Sequence, residues 1–511
     1  MFKDYNPHQD FLLPPSARDF LPAGDLACVV VEIVSAFDIA PFQQRYHPLG
    51  PHAYHPKMML GLLFYAYSQG VFSSRKIAER IRYDIRFMFV AGYQRPDFHT
   101  ICDFRKHNLD LIAGYFKDIV RLCGQLGLVT WRTVAIDGSK LKANASSQRN
   151  KDRDALRQEI AAVEAEIARR LALAQAADDA EAEADDEPKR LDVADLQDLH
   201  AKLEAARDRL DDQPERKEIN LTDPDSRVLQ KVGSGYNPQL AVDATHDVIV
   251  AVDVTDEAND VHQLLPMIDR VEVLREARGD EITILADAGY ASAQAFTELE
   301  SRPHVRAYVP LREEVHRGGG EPPPFDKRRF RLDVDSGRGV CPLGQPMREL
   351  RRGVNKSGQP YIHFVGEACS ECSRRSECTT AKRRNVVVLQ AEPALARMRA
   401  RMKTALGSAA MAIRRSVVEP VIGILKAQLG FRQFSLRGLE QVKGEFHLLC
   451  GAYNLKKIAR HLGGRSVRAA QLALQARSDA KLNLNLTPKG VQIVEFWRRF
   501  GLFKPSSAGA G

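Results

Sequence analysis

Apolar residues recur at helical spacing through the first 130 residues. Met58, Met59, Leu60, Leu62, Leu63 and Tyr65 crowd one segment, and Ser73-Ser74 opens a second in which Ile77, Ala78 and Ile81 share a face. Ser73 has the side chain of a helix cap. A further helix is expected from Asp97-Phe98-His99 through Ile101, Phe104 and Arg105. The period then shortens. Thr133-Val134-Ala135-Ile136-Asp137-Gly138 predicts a buried strand that ends on a carboxylate and a turn glycine. Residues 239–243 and 248–254 predict a hairpin across Ala244-Thr245-His246-Asp247, and residues 282–286 a strand that ends at Asp287. Helices are expected over 261–275 and 292–300, and another strand near 305–309.

Two stretches break this alternation. Between 152 and 212, Leu156, Ile160, Val163 and Ile167, then Leu196, Leu199, Leu203, Ala206 and Leu210, recur at spacings of three and four. The acidic stretch from Asp178 to Glu187, closed by Pro188, separates them. This predicts an antiparallel coiled-coil hairpin inserted at 151–213. From 310 to 400 the chain is rich in Gly, Pro, Arg and Cys, which predicts an irregular small module. A strong helix is then expected over 409–428, where Arg415, Glu419 and Lys426, at i, i+4 and i+11, fall within about 40° of one another.

Composition narrows the class. A chain of 511 residues is too long for one core, and 44% hydrophobic with 27% charged residues is ordinary for a soluble globular protein. The net charge of +8 suits a polyanionic partner, without establishing one. The N-terminus has no basic region followed by an apolar run, and no stretch approaches the ~20 apolar residues of a membrane span, so a cytoplasmic protein is expected. Of eight cysteines, Cys28, Cys102, Cys123 and Cys450 sit singly among apolar neighbours and are expected to be buried packing thiols. Cys341, Cys369, Cys372 and Cys378 share the small module, and they suit either free thiols or, as four thiolates, a closed structural Zn²⁺ site that would order a segment too polar to fold alone.

Phosphoryl transfer on nucleic acid needs carboxylates grouped around hard divalent cations. Asp137, Asp287 and Glu419, at two strand ends and on one helix, would supply them. From Arg414 to Arg460 basic residues outnumber the acids Glu419, Glu440 and Glu445, a surplus suited to a phosphate backbone or to a solvated helix face. Phe431, Phe434, Phe446 and Tyr453 are expected in the core.

The stretches from Ala135 to Ser146 (AIDGSKLKANAS), Ala286 to Tyr290 (ADAGY) and Arg415 to Lys426 (RSVVEPVIGILK) resemble the three catalytic motifs of DDE transposases of bacterial insertion sequences. Asp223-Pro224-Asp225-Ser226-Arg227, Gly235-Tyr236-Asn237-Pro238-Gln239 and Gly430-Phe431-Arg432-Gln433-Phe434 resemble further signatures of the family, and the similarity spans roughly residues 1–460. The expected fold class is α/β: a ribonuclease H-like mixed sheet with flanking helices, interrupted by the coiled-coil insertion and the Cys-rich module and preceded by an all-helical N-terminal domain. The expected division is 1–130, with a helix-turn-helix or a plain packing role; 131–310, the first part of the core; 311–392, the Cys-rich insertion; 393–462, the catalytic helix and the rest of the core; and 463–511, a tail whose last residues, 506–511, are expected to be disordered. The resemblance implies Mg²⁺ or Mn²⁺ on Asp137, Asp287 and Glu419, phosphate contacts from Arg415 and Lys426, double-stranded DNA as partner and a homodimer on two element ends. The tyrosine that usually precedes the arginine by three residues is Ala412 here. The residues leave room for a nuclease that does not join strands and for a DNA-binding remnant.

Overall fold

The computed structural model describes residues 16–46, 53–180, 193–275, 280–311, 323–355 and 358–471. Most of the acidic stretch that ends at Glu187, and the tail from 472 with its expected disorder at 506–511, lie outside these residues. Two compact units are present: one combines the described residues up to Val129 with those from Gly451 onward, and the other is 130–450.

The first unit is helical, built from Leu26–Ser35, Ala40–Gln43, Pro56–Ser68, Ser74–Tyr83, Ile85–Val90, Phe98–His107 and Leu109–Gln125, with the C-terminal part of the long helix Leu439–Leu462. Pro56–Ser68 is buried around its whole circumference from Met59 to Ser68, as a helix apolar on all sides must be. Gly451 lies against it, where a Cβ would come within 2.8 Å of the Phe64 ring. Asp97 caps its helix by accepting from the His99 and Thr100 amides, whereas Ser73 stands at the cap position without a side-chain bond. Cys123 and Cys450 are buried; Cys28 and Cys102 are only half-buried, a correction to the expectation of four packing thiols.

The second unit is α/β with mixed sheets. Its strands are β1 (Thr133–Gly138), β2 (Leu141–Lys142), β3 (Asn150–Asp152), β4 (Glu218–Asn220), β5 (Arg227–Leu229), β6 (Gly233–Asp243), β7 (Val248–Thr255), β8 (Ile282–Leu285) and β9 (Val305–Tyr308). The central order is β7-β6-β1-β8-β9; β1, β8 and β9 run parallel, and β6 runs antiparallel to both β1 and β7. Strands covered on both faces must be apolar throughout, and Val134, Ala135, Ile136, Ile284 and Leu285 are buried. Because Ala135 pairs with Leu285, Asp137 and Asp287 stand level, two positions on, at the carboxyl ends of neighbouring parallel strands, where open α/β sheets form their crevice.

The helix Ala405–Gly423 packs across β1, β6, β8 and β9, with Val417, Val418 and Val421 buried. It is capped by Thr404, whose side chain accepts from the Gly407 amide. The expected helix over 409–428 is corrected at its end: Ile424–Gln428 is a π-turn, closed by a 2.9 Å bond from the Leu429 amide to the Ile424 carbonyl. Each π-step covers less rotation than an α-step, so the bearing of Lys426 relative to Arg415 and Glu419 does not follow from α-helical spacing.

The segment expected to form a coiled-coil hairpin folds as two helices, Arg153–Ala180 and Val193–Asp211, flanked by the two-stranded β3–β4 ladder. Leu156, Ile160, Leu203, Ala206 and Leu210 pack with Ile219 at its base, while Leu171, Leu173 and Leu199 are exposed further out. The small module is more regular than its composition predicts. It is a five-stranded antiparallel sheet of β10 (Arg331–Asp333), β11 (Arg338–Val340), β12 (Pro346–Val354), β13 (Pro360–Gly366) and β14 (Asn385–Leu389), paired in that order. It is also less polar than expected, because Phe330, Val334, Met347, Ile362, Phe364, Val386 and Val388 give it a core of its own. Among the described residues no helix is long and apolar enough to cross a membrane.

Candidate active site

Asp137 and Asp287 reach the carboxyl edge of the sheet by strand register, and Glu419 approaches from the helix laid across it. What joins them is Arg414. Its Nη2 lies 2.8 Å from Asp137 Oδ2 and 3.8 Å from Asp287 Oδ2, and its Nη1 lies 3.8 Å from Glu419 Oε1. The guanidinium is almost wholly buried, and among the described residues its Nε meets no acceptor. Asp137 Oδ1 accepts from the Gly138 amide at 2.9 Å, and Asp287 Oδ1 accepts from the Gly289 amide at 2.7 Å, which caps the turn Ala288–Tyr290. Glu419 is the exposed member, at 58% of its side-chain surface.

Burial pushes the Asp137 carboxyl up to about 6; Arg414 opposes this, while Asp287 and Asp260 add to it. Burial also lowers Lys426, which Asp137 raises again. Lys426 is half-buried and its Nζ donates to the Lys140 carbonyl at 3.0 Å, whereas Arg415 is exposed with its Nε near the Met411 carbonyl.

Two groups escaped sequence reasoning. Arg414 belongs to the buried stripe that includes Val417, Val418 and Val421, at i, i+3, i+4 and i+7, and an arginine on such a stripe was the available signal. Asp260 is the other: its Oδ1 accepts from Asn237 Nδ2 at 2.8 Å and from Gln239 Nε2 at 2.7 Å. Nothing distinguishes Asp260 from other loop acids in sequence, although Asn237 and Gln239, polar at i and i+2 in a buried strand, mark the face it meets.

Among the described residues no group of three or more His, Cys, Asp or Glu side chains stands in metal-ligating geometry. At the carboxylates the guanidinium of Arg414 supplies the positive charge. The donor chemistry nonetheless fits a hard cation, since the carboxylates outnumber the one guanidinium among them.

The four module cysteines line one cavity with Phe325, Met347 and Arg375. The Arg384 amide points at Cys369 Sγ at 3.4 Å, and Cys341 and Gly344 close a tight turn. Burial pushes the Cys378 thiol up and Arg384 pulls it down, while Cys369, Cys341 and Cys372 raise it further, so each of these three thiols lies within electrostatic reach of Cys378.

The family described as transposase DDE domain matches residues 340–459, and the transposase domain DUF772 matches residues 15–107. Both matches support a DDE transposase of an insertion sequence. No curated protein matches it. The first match holds Arg414, Glu419, Lys426 and the four module cysteines, and the second lies in the helical unit; Asp137 and Asp287 fall between them. DDE transposases are DNA-acting enzymes that generally use divalent metals.

Proposed function

We propose that the chain is a DDE transposase that binds the ends of its insertion sequence as a homodimer, nicks them and transfers the 3′ ends to target DNA. The observation that carries the reading is the convergence of Asp137, Asp287 and Glu419 on one guanidinium at the carboxyl edge of the sheet. The strand order β7-β6-β1-β8-β9, with only β6 antiparallel to its neighbours, supports a ribonuclease H-like core. Asp137, Asp287 and Glu419 would hold Mg²⁺ or Mn²⁺, which supplies Lewis-acid stabilisation of the charge that develops on the phosphate. Arg414 keeps the carboxylates gathered and offsets their repulsion. Arg415, exposed on the same helix as Glu419, is available to a DNA phosphate, and Lys426 adds positive charge beside Asp137. With Mg²⁺ or Mn²⁺, a duplex carrying the element end and a target duplex, the wild-type protein is expected to release 3′ ends and join them, and to do neither in EDTA. Cleavage without joined product would favour a nuclease, and a duplex that is bound but never cut would leave only a DNA-binding remnant.

We also infer that Cys341, Cys369, Cys372 and Cys378 hold a structural Zn²⁺, since four thiols that line one cavity, with a backbone amide aimed at one sulfur, match the ligand type of closed zinc sites. Elemental analysis of purified protein is expected to find zinc at about one per chain, lost in a Cys369→Ser, Cys372→Ser variant. Wild-type protein without zinc would overturn the assignment.

A further inference from the structure

Asp260 sits between β7 and the helix Leu264–Arg275, well away in sequence from Asp137, Asp287 and Glu419, yet the fold brings it to them. Asn237 and Gln239, both wholly buried on β6, donate to its Oδ1, and the Tyr290 hydroxyl in turn donates to Gln239 Oε1. A Cβ on Gly138 would stand 2.6 Å from Asp260 Oδ1 and 2.5 Å from Gln239 Nε2. A Cβ on Gly289 would stand 2.8 Å from Asp287 Oδ1 and 3.4 Å from Asp260 Oδ2. The glycine after Asp137 and the glycine two residues after Asp287 are therefore bare on the side where this carboxylate lies.

A carboxylate held so close to two others raises their mutual repulsion, and the fold spends three buried polar side chains on keeping it there. Such an arrangement is unfavourable by itself and becomes favourable when a cation is drawn in. We infer that Asp260, pinned by Asn237 and Gln239 beside Asp137 and Asp287, is a positioning residue of the divalent-cation site that strengthens the hold of the carboxylates on the ion. The inference rests on the proposed reading of Asp137, Asp287 and Glu419.

The test is Mn²⁺ binding to the full chain without DNA, followed by electron paramagnetic resonance, for wild type, Asp137→Asn, Asp260→Asn and Asp260→Glu. Asn at 260 keeps an acceptor oxygen for the two amides and removes the charge; Asp260→Ser serves in its place if the melting transition shows that the amide does not fit. The expected result is an Mn²⁺ Kd raised about tenfold by Asp260→Asn and held within about twofold by Asp260→Glu, with a larger rise for Asp137→Asn. Wild-type affinity in the neutral 260 variant alongside a loss in Asp137→Asn would overturn the role of Asp260 and leave the three-carboxylate site standing. Equal losses in the neutral and the Glu variants would overturn it too, by reducing Asp260 to packing. No change in either the Asp137 or the Asp260 variant would sink the three-carboxylate reading itself.

Discussion

Asp287→Ala is expected to slow strand cleavage by about a thousandfold or more while binding the element end no more weakly than the wild type. The change removes a side chain at 44% exposure, whose structural task is to accept the Gly289 amide and cap a single short turn, so the fold should survive it. What it takes away is one of the two carboxylates that parallel register sets level with each other. Loss of one negative charge cannot weaken contact with phosphate. Gel-shift in EDTA and single-turnover cleavage in Mg²⁺ separate the two effects. Cleavage within tenfold of the wild type would remove Asp287 from the catalytic set.

Arg414→Ala is expected to cost about 3–5 kcal/mol of stability in metal-free protein at pH 8, since it leaves Asp137 buried beside other carboxylates with its nearest cation gone. Most of that loss belongs to Asp137, which is 16% exposed; the contact with exposed Glu419 contributes little. The pH dependence follows from the direction of the Asp137 shift. A carboxyl raised from 3.8 to about 6 in the fold has its protonated form favoured there, so its contribution to stability is complete below pH 3.8 and is lost as pH rises through about 6. At pH 4 Asp137 is neutral and the missing guanidinium matters less; at pH 8 it is ionised and matters most. Denaturant melts of wild type and variant in EDTA at the two pH values test this, and an equal loss at both would show that Arg414 acts through packing alone.

Sequence carried the sheet well because its strands are buried on both faces. Thr133–Gly138, Ile282–Leu285 and Val248–Thr255 read as apolar runs bounded by turn residues, and their observed limits fall close to the expected ones, whereas β6 begins at Gly233, six residues before the expected 239, because its first half is polar. Asp137 and Asp287 were legible for the same reason, as the carboxylates that end those runs. The helix was only half legible. Arg415 and Glu419 drew attention as an i, i+4 pair, but that pair lies on the solvent side, and the arginine that reaches the carboxylates is its neighbour, one step of about 100° round the helix. The π-turn at Ile424–Gln428 was hidden because spacing arguments assume an unbroken α-helix. The regularity of the Cys module was hidden as well, since only alternate residues of its strands, such as Val386 and Val388 around exposed Val387, face its core.

The long helix Leu439–Leu462 serves two cores in succession. Glu445 accepts from the Ser435 amide and Phe446 packs by Phe434, whereas Gly451 meets Phe64 and Lys456 Nζ donates to the Ser68 carbonyl. For a chain made on the ribosome from its N-terminus, this fixes a late moment of completion. The N-terminal helices emerge first, but neither unit can close until this helix has been synthesised, so premature termination anywhere before it leaves neither unit finished.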